Sequence, residues 1–144
     1  MTAEEISTGT EQLLASMDEG VLTITLNRPE ARNALTFELL DAFAEQLAYA
    51  ESSSDVRCVV VTGGGKGFCA GGDVKAMAAR NEGARTVTVD EAINRQRIYQ
   101  RATSGRLYKM PKPTIASLPG AAAGAGLGST SFFIALGWSV SDSV

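Results

Sequence analysis

Apolar residues alternate with threonine through Val21-Leu22-Thr23-Ile24-Thr25-Leu26, a period of two that predicts a half-buried strand. Upstream, residues 11–17 carry Leu13 and Leu14 and read as a first strand, with a short helix as the other option, and Asp18-Glu19-Gly20 supplies the turn of a β-hairpin. The period then lengthens. Leu40, Phe43, Leu47 and Ala50 recur at helical spacing, which predicts a helix from a cap at Thr36 to about Ser52, with Glu38 well placed against the dipole of its first turn. Between strand and helix lies the polar loop 27–35, where Pro29 prevents strand continuation. Residues 56–62 form a near-continuous apolar run, the pattern of a strand buried on both faces.

The second part of the chain repeats this logic. A short helix is expected from Asp73, carrying Val74, Met77 and Ala78, and residues 86–89 read as extended. Asp90 reads as the cap of a long helix reaching about Tyr108, and Met110-Pro111-Lys112-Pro113 breaks it. Residues 114–118 are a second buried strand, and Pro119-Gly120 turns into Ala121-Ala122-Ala123-Gly124-Ala125-Gly126, small residues that open a helix. One device therefore occurs twice: buried strand, glycine-rich turn, helix N-terminus. The unsatisfied N–H groups of such termini can hold an anion or a developing negative charge, and two of them facing one point would form an oxyanion hole.

The first of these turns is the more unusual, with six glycines among residues 63–73. Glycine loses much freedom on folding, so a loop this rich in it is read as a ligand loop. A Walker phosphate loop fails, because Gly65-Lys66 is followed by Gly67 instead of Ser or Thr. A dinucleotide fingerprint fits better, since Gly65-Lys66-Gly67-Phe68-Cys69-Ala70 matches G-x-G-x-x-A after a buried strand; against it, the helix expected from Asp73 is short.

Composition narrows the chemistry. A chain of 144 residues, 44% apolar and 20% charged, is one ordinary globular domain, and a net charge of −3 argues against a nucleic-acid surface. The arginines at 95, 97, 101 and 106 read as the solvated side of a helix. Cys58 and Cys69 are expected to be free thiols in a reducing compartment. The acidic, polar residues 1–10 are expected to be disordered; they resemble no targeting signal, and no run is long and apolar enough for a membrane helix, so a cytoplasmic location is expected. The sequence contains no histidine, which removes Ser/His and Cys/His nucleophile pairs and the commonest zinc ligand; no metal site is expected. Cys69, beside Asp73 and without a histidine, is read as a packing residue.

Three motifs occur in order: Asn27-Arg28-Pro29 with Ala31-Arg32-Asn33-Ala34-Leu35, then Gly67-Phe68-Cys69-Ala70-Gly71-Gly72-Asp73, then Lys112-Pro113-Thr114-Ile115-Ala116 with residues 120–126. Together they resemble the enoyl-CoA hydratase/isomerase (crotonase) family. The resemblance implies an α/β fold, a crotonase-like spiral of β-β-α turns incomplete at the C-terminus, with residues 11–127 as the N-terminal part of the domain and 128–144 as a divergent tail. It implies an acyl-CoA thioester as partner, coenzyme A entering as part of the substrate and no other cofactor. It assigns the two N–H groups of the oxyanion hole to Gly72 and Ala125, and contacts along the coenzyme A moiety to Ala34, Lys66 and Ala70. Full-length relatives are expected to be homo-oligomers, with trimers typical. The second reading is a non-catalytic domain, Rossmann-like, that holds coenzyme A or a dinucleotide.

The chain also departs from the family pattern. Hydratases of the family place a carboxylate two residues after the glycine run, where this chain has Gly128, and the second carboxylate would fall beyond Val144. After Leu127 the sequence leaves the family's Ala/Leu-rich continuation, as expected for a frame change or truncation near that codon. Turnover is therefore expected to be impaired or absent in these residues, and exposed strand edges are expected to make the isolated chain poorly soluble.

Overall fold

The hairpin forms where the alternating pattern places it. Strand β2 (Leu13–Asp18) pairs antiparallel with β3 (Val21–Leu26), and both Glu19 and Gly20 turn at positive φ, 46° and 82°. In this computed structural model residues 2–73, 75, 87–124, 126 and 134–135 are described. Before the hairpin, β1 (Glu4–Ile6) adds to β2, with Glu5 opposite Ser16. This corrects the expectation of a disordered segment over residues 1–10: the exposed edge of β2 templates the pairing despite the acidic composition.

From β3 the sheet becomes parallel. β4 (Cys58–Gly63) lies beside β3, β5 (Thr114–Ser117) beside β4, and the short β6 (Ile134–Ala135) beside β5, giving the order β1-β2-β3-β4-β5-β6. Leu26 is level with Gly63, and Thr62 with Ser117. The three loops that follow β3, β4 and β5 therefore leave the same edge of the sheet. In parallel sheets that carboxyl edge is where ligands are usually received.

Helix α1 (Phe37–Ser52) runs between β3 and β4, with the Thr36 hydroxyl accepting from Leu39 N as predicted. Its far end is held by Lys112, whose Nζ donates to the Ala50 and Ser53 carbonyls at 2.5 Å. Leu39, Phe43 and Leu47 pack on Leu13, Leu22, Ile24, Val59 and Val61 of the sheet, forming a core that Phe68, Cys69 and Leu107 extend. Each fully buried side chain of this kind contributes about 1.5–3 kcal/mol relative to exposure.

The opposite sheet face is different. Along β4 buried residues alternate with half-buried ones, so this strand is covered on one face only, in contrast to the expectation from its apolar run. Val60 and Thr62 share the uncovered side with Thr23, Thr25 and the exposed Leu14. The apolar run reports a strand able to be buried twice, whereas the described residues supply packing on one side.

The long helix expected over residues 90–108 is two helices, α2 (Val89–Ala102) and α3 (Ser104–Lys109), broken at Thr103 with φ −112° and ψ −89°. Its cap is Thr88 rather than Asp90: the Thr88 hydroxyl accepts from Glu91 N, and Glu91 accepts from Thr88 N, a capping box. No residue of α2 is buried, consistent with its arginine-rich sequence. Tyr99 donates to Asp41 of α1 and its ring meets that of Phe37, over which Arg95 also lies. Among the described residues no helix is long and apolar enough to cross a membrane. The short helix expected from Asp73, with Val74, Met77 and Ala78, lies outside the described residues, as does the divergent tail apart from β6.

Candidate functional site

The site is built where the three carboxyl-edge loops meet. After β4 the glycine stretch stays non-helical through Asp73. It continues as extended chain and makes two isolated parallel bridges, Cys69 with Ala122 and Gly72 with Leu35. Phe68 N donates to Ala121 O at 3.0 Å and Ala123 N to Cys69 O at 2.9 Å, which joins the first glycine turn to the second. On its other side, Ala70 N donates to Arg32 O at 3.0 Å and Leu35 N to Gly71 O at 2.7 Å. The glycine stretch is thus the central member of three adjacent segments. A dinucleotide fingerprint requires the loop to run straight into a helix, and this geometry does not favour that reading.

Two glycines make the arrangement possible. Gly71 sits at φ 94°, a conformation that side chains resist. Gly120 lies so close to the Lys66 carbonyl that an added Cβ would fall inside van der Waals distance. The two turns converge further along, where a Cβ on Gly124 would lie 3.7 Å from the Gly71 Cα.

The bridge at Gly72 has a directional consequence. In a parallel ladder the residue opposite a bonded partner turns its own N–H and C=O the other way. Here Leu35 uses Gly71 O and Asp73 N, the latter at 3.2 Å, so the Gly72 N–H faces away from Leu35. Among the described residues that N–H has no partner.

The remaining predicted positions divide. Ala70 is exposed directly beside Gly71, and Ala34 is buried next to Leu35, with its carbonyl accepting from Arg28 Nη1 at 2.7 Å. Lys66 is exposed at the far end of the loop, two residues from Phe68. Ala125 lies outside the described residues, between Gly124 and Gly126. Both cysteines are free. Burial pushes the Cys69 thiol above its ordinary range, partly opposed by the hydrogen bond its Sγ accepts from Gly71 N at 3.4 Å, so it is a packing group and a poor nucleophile.

Sequence reasoning passed over the side chains that hold the loop. Asn33 is fully buried: its Nδ2 donates to the Gly64 and Gly67 carbonyls at 2.9 and 3.1 Å, and its Oδ1 accepts from Arg28 N at 2.7 Å. Arg28 forms an ion pair with Asp73 at 3.0 Å. The available signal was Asn33 itself, a residue type that tolerates the left-handed region and here sits at φ 55°.

An α/β sheet whose parallel carboxyl edge carries two converging glycine turns, one presenting an outward N–H, defines a crotonase-type fold. The chain belongs to the enoyl-CoA hydratase/isomerase family, whose model matches residues 16–132. It is 40% identical over 116 residues to the 1,2-epoxyphenylacetyl-CoA isomerase of Escherichia coli, covering 81% of this chain and 43% of that protein. It is 38% identical over 117 residues to a probable enoyl-CoA hydratase of Mycobacterium tuberculosis, with 81% and 43% covered. Among solved structures it resembles a Pseudomonas aeruginosa protein, with a TM-score of 0.77 at 32% identity over 89% of this chain and 52% of that one. It also resembles an enoyl-CoA hydratase of Mycobacterium marinum, with a TM-score of 0.71 at 32% identity over 86% and 56%. The chain spans about half the length of these relatives.

Proposed function

We propose that these residues bind an acyl-CoA thioester and polarise its carbonyl with backbone N–H groups, and that hydration by the 144-residue chain alone is impaired. The observation that carries the reading is the Gly72 N–H, turned away from Leu35 and without a partner among the described residues. A thioester oxygen gaining enolate character needs donors already aimed where the charge develops, each worth on the order of 3 kcal/mol. Gly72 supplies one donor and Ala125, from the converging second turn, supplies the other. Ala70 and the chain around Ala34 lie along the coenzyme A moiety, with Lys66 near its phosphates. The printed names of the relatives, a CoA-ester isomerase and a hydratase, support this substrate class.

Impaired turnover follows from the acid and base groups. Position 128 is Gly128, and Asp73, the carboxylate next to Gly72, is engaged by Arg28. Missing acid–base catalysis costs about 10²–10⁴-fold in rate. With crotonyl-CoA as substrate, loss of the 2-enoyl thioester absorbance is expected to be at least about 100-fold slower than with a hydratase that has both carboxylates. Rapid hydration by this chain would refute the proposal of impaired turnover.

A further inference from the structure

The motif Asn27-Arg28-Pro29 and the buried Asn33 play no part in the proposed thioester contacts, yet they hold the glycine stretch at both ends. Asn33 fixes its beginning through the Gly64 and Gly67 carbonyls. Arg28 fixes its end: one nitrogen, Nη1, donates both to Ala34 O at 2.7 Å and to Asp73 Oδ2 at 3.0 Å. Ala34 immediately precedes Leu35, and Asp73 immediately follows Gly72. The guanidinium therefore spans the Leu35–Gly72 bridge, touching the residue before it on one segment and the residue after it on the other.

That placement matters because the bridge is weak alone. It consists of two backbone hydrogen bonds, at 2.7 and 3.2 Å, each weak once the bonds to water that it replaces are counted, set against the freedom of two adjacent glycines. Rotation about Gly71 or Gly72 would swing the Gly72 N–H out of line. Hydrogen bonds with an ionised partner are roughly twice as strong as neutral ones, and the Arg28 and Asp73 side chains are only 17% and 15% exposed, so water competes little for them. The Arg28 side chain thus joins the two segments at the level of Gly72.

We infer that Arg28 is a positioning residue: through Asp73 and the Ala34 carbonyl it holds the Gly72 N–H in the direction needed to meet a thioester oxygen. The inference rests on the acyl-CoA reading for its ligand, while its mechanical half can be tested without any ligand. The full chain is compared with Arg28→Met, which keeps the side-chain length without donors, and with Asp73→Asn, which keeps an acceptor without the charge.

Amide hydrogen exchange is followed in peptides covering residues 34–36 and 70–73, with α1 as the internal reference. Exchange in both segments is expected to quicken at least tenfold in Arg28→Met with α1 unchanged, and to a smaller extent in Asp73→Asn. Unchanged exchange at 70–73 in both variants overturns the inference, whatever any ligand does. Should α1 also quicken in Arg28→Met, Asp73→Asn decides by the same criterion. The second readout is the absorption of bound cinnamoyl-CoA, which moves to longer wavelength when its thioester is polarised. Arg28→Met is expected to lose at least half of that shift while binding free coenzyme A within threefold of the parent chain, and a full shift in the variant overturns the inference. A parent chain that binds no cinnamoyl-CoA removes the acyl-CoA reading, and the exchange comparison still decides the brace.

Discussion

The fully buried Asn33 side chain pairs with three backbone groups, the carbonyls of Gly64 and Gly67 and the N–H of Arg28. Leaving a buried polar group unpaired costs about 1–3 kcal/mol. Asn33→Ala is therefore expected to lower stability by about 3 kcal/mol, measured by urea unfolding, and a change under about 1 kcal/mol would show that the staple is dispensable. Cys69 tests the environment of the same loop. Burial raises its pKa, so the folded chain keeps the thiol where the unfolded chain ionises. Its contribution to stability is complete below the unfolded value of 9.0 and is lost as pH rises from there through the higher folded value. At pH 8, iodoacetamide is expected to modify the half-buried Cys58 first and Cys69 only on unfolding; equal rates would contradict the burial of Cys69. At this scale the sequence showed which glycines were unusual, because composition alone marks them. It did not show Arg28, Asn33 and Asp73 acting together, because a contact between residues 28 and 73 has no local signature.

The elements were legible where local chemistry decides them. The period-two alternation of β3, the Thr36 cap and the helical spacing through Leu47 each state their own conformation. The capping box at Thr88 competed with Asp90, and both are good cap residues; the reciprocal bond with Glu91 favours Thr88. One α1 residue is at odds with its surroundings. Gln46 is buried on the core face, and among the described residues its Oε1 has no partner. Gln46→Met fills a similar volume without the polar atom and is expected to raise stability by about 1 kcal/mol in a urea titration. A loss instead would mean that Gln46 is satisfied. The two turns are elements as well. Gly120→Ala drives a Cβ into the Lys66 carbonyl and is expected to cost about 1–3 kcal/mol and to quicken exchange at Phe68 N, which donates to Ala121 O.

For the whole molecule, the decisive feature is a mixed sheet, parallel from β3 onward, that the described residues pack on one side. Parallel strands are normally covered on both faces, and the half-buried side carrying Leu14, Thr23, Thr25 and Val60 is not covered by described residues. The apolar run of β4 made this strand legible, but which face would be covered depends on chain far away in sequence. Exposed sheet surface of this kind promotes association, so sedimentation velocity is expected to show species that grow with concentration. A single monodisperse monomer across the range would contradict this. The carboxyl edge is the other large-scale feature, and it brings the two glycine turns together through the Cys69–Ala122 bridge. Thermal melting with crotonyl-CoA and, separately, with NAD tests that assembly most directly. Ligand at a hundredfold excess over its Kd stabilises a folded chain by about 2.7 kcal/mol. Crotonyl-CoA is expected to raise the Tm by roughly 5 °C or more while NAD leaves it unchanged. A rise with NAD alone, or with neither, would contradict an acyl-CoA site built on the Gly72 N–H.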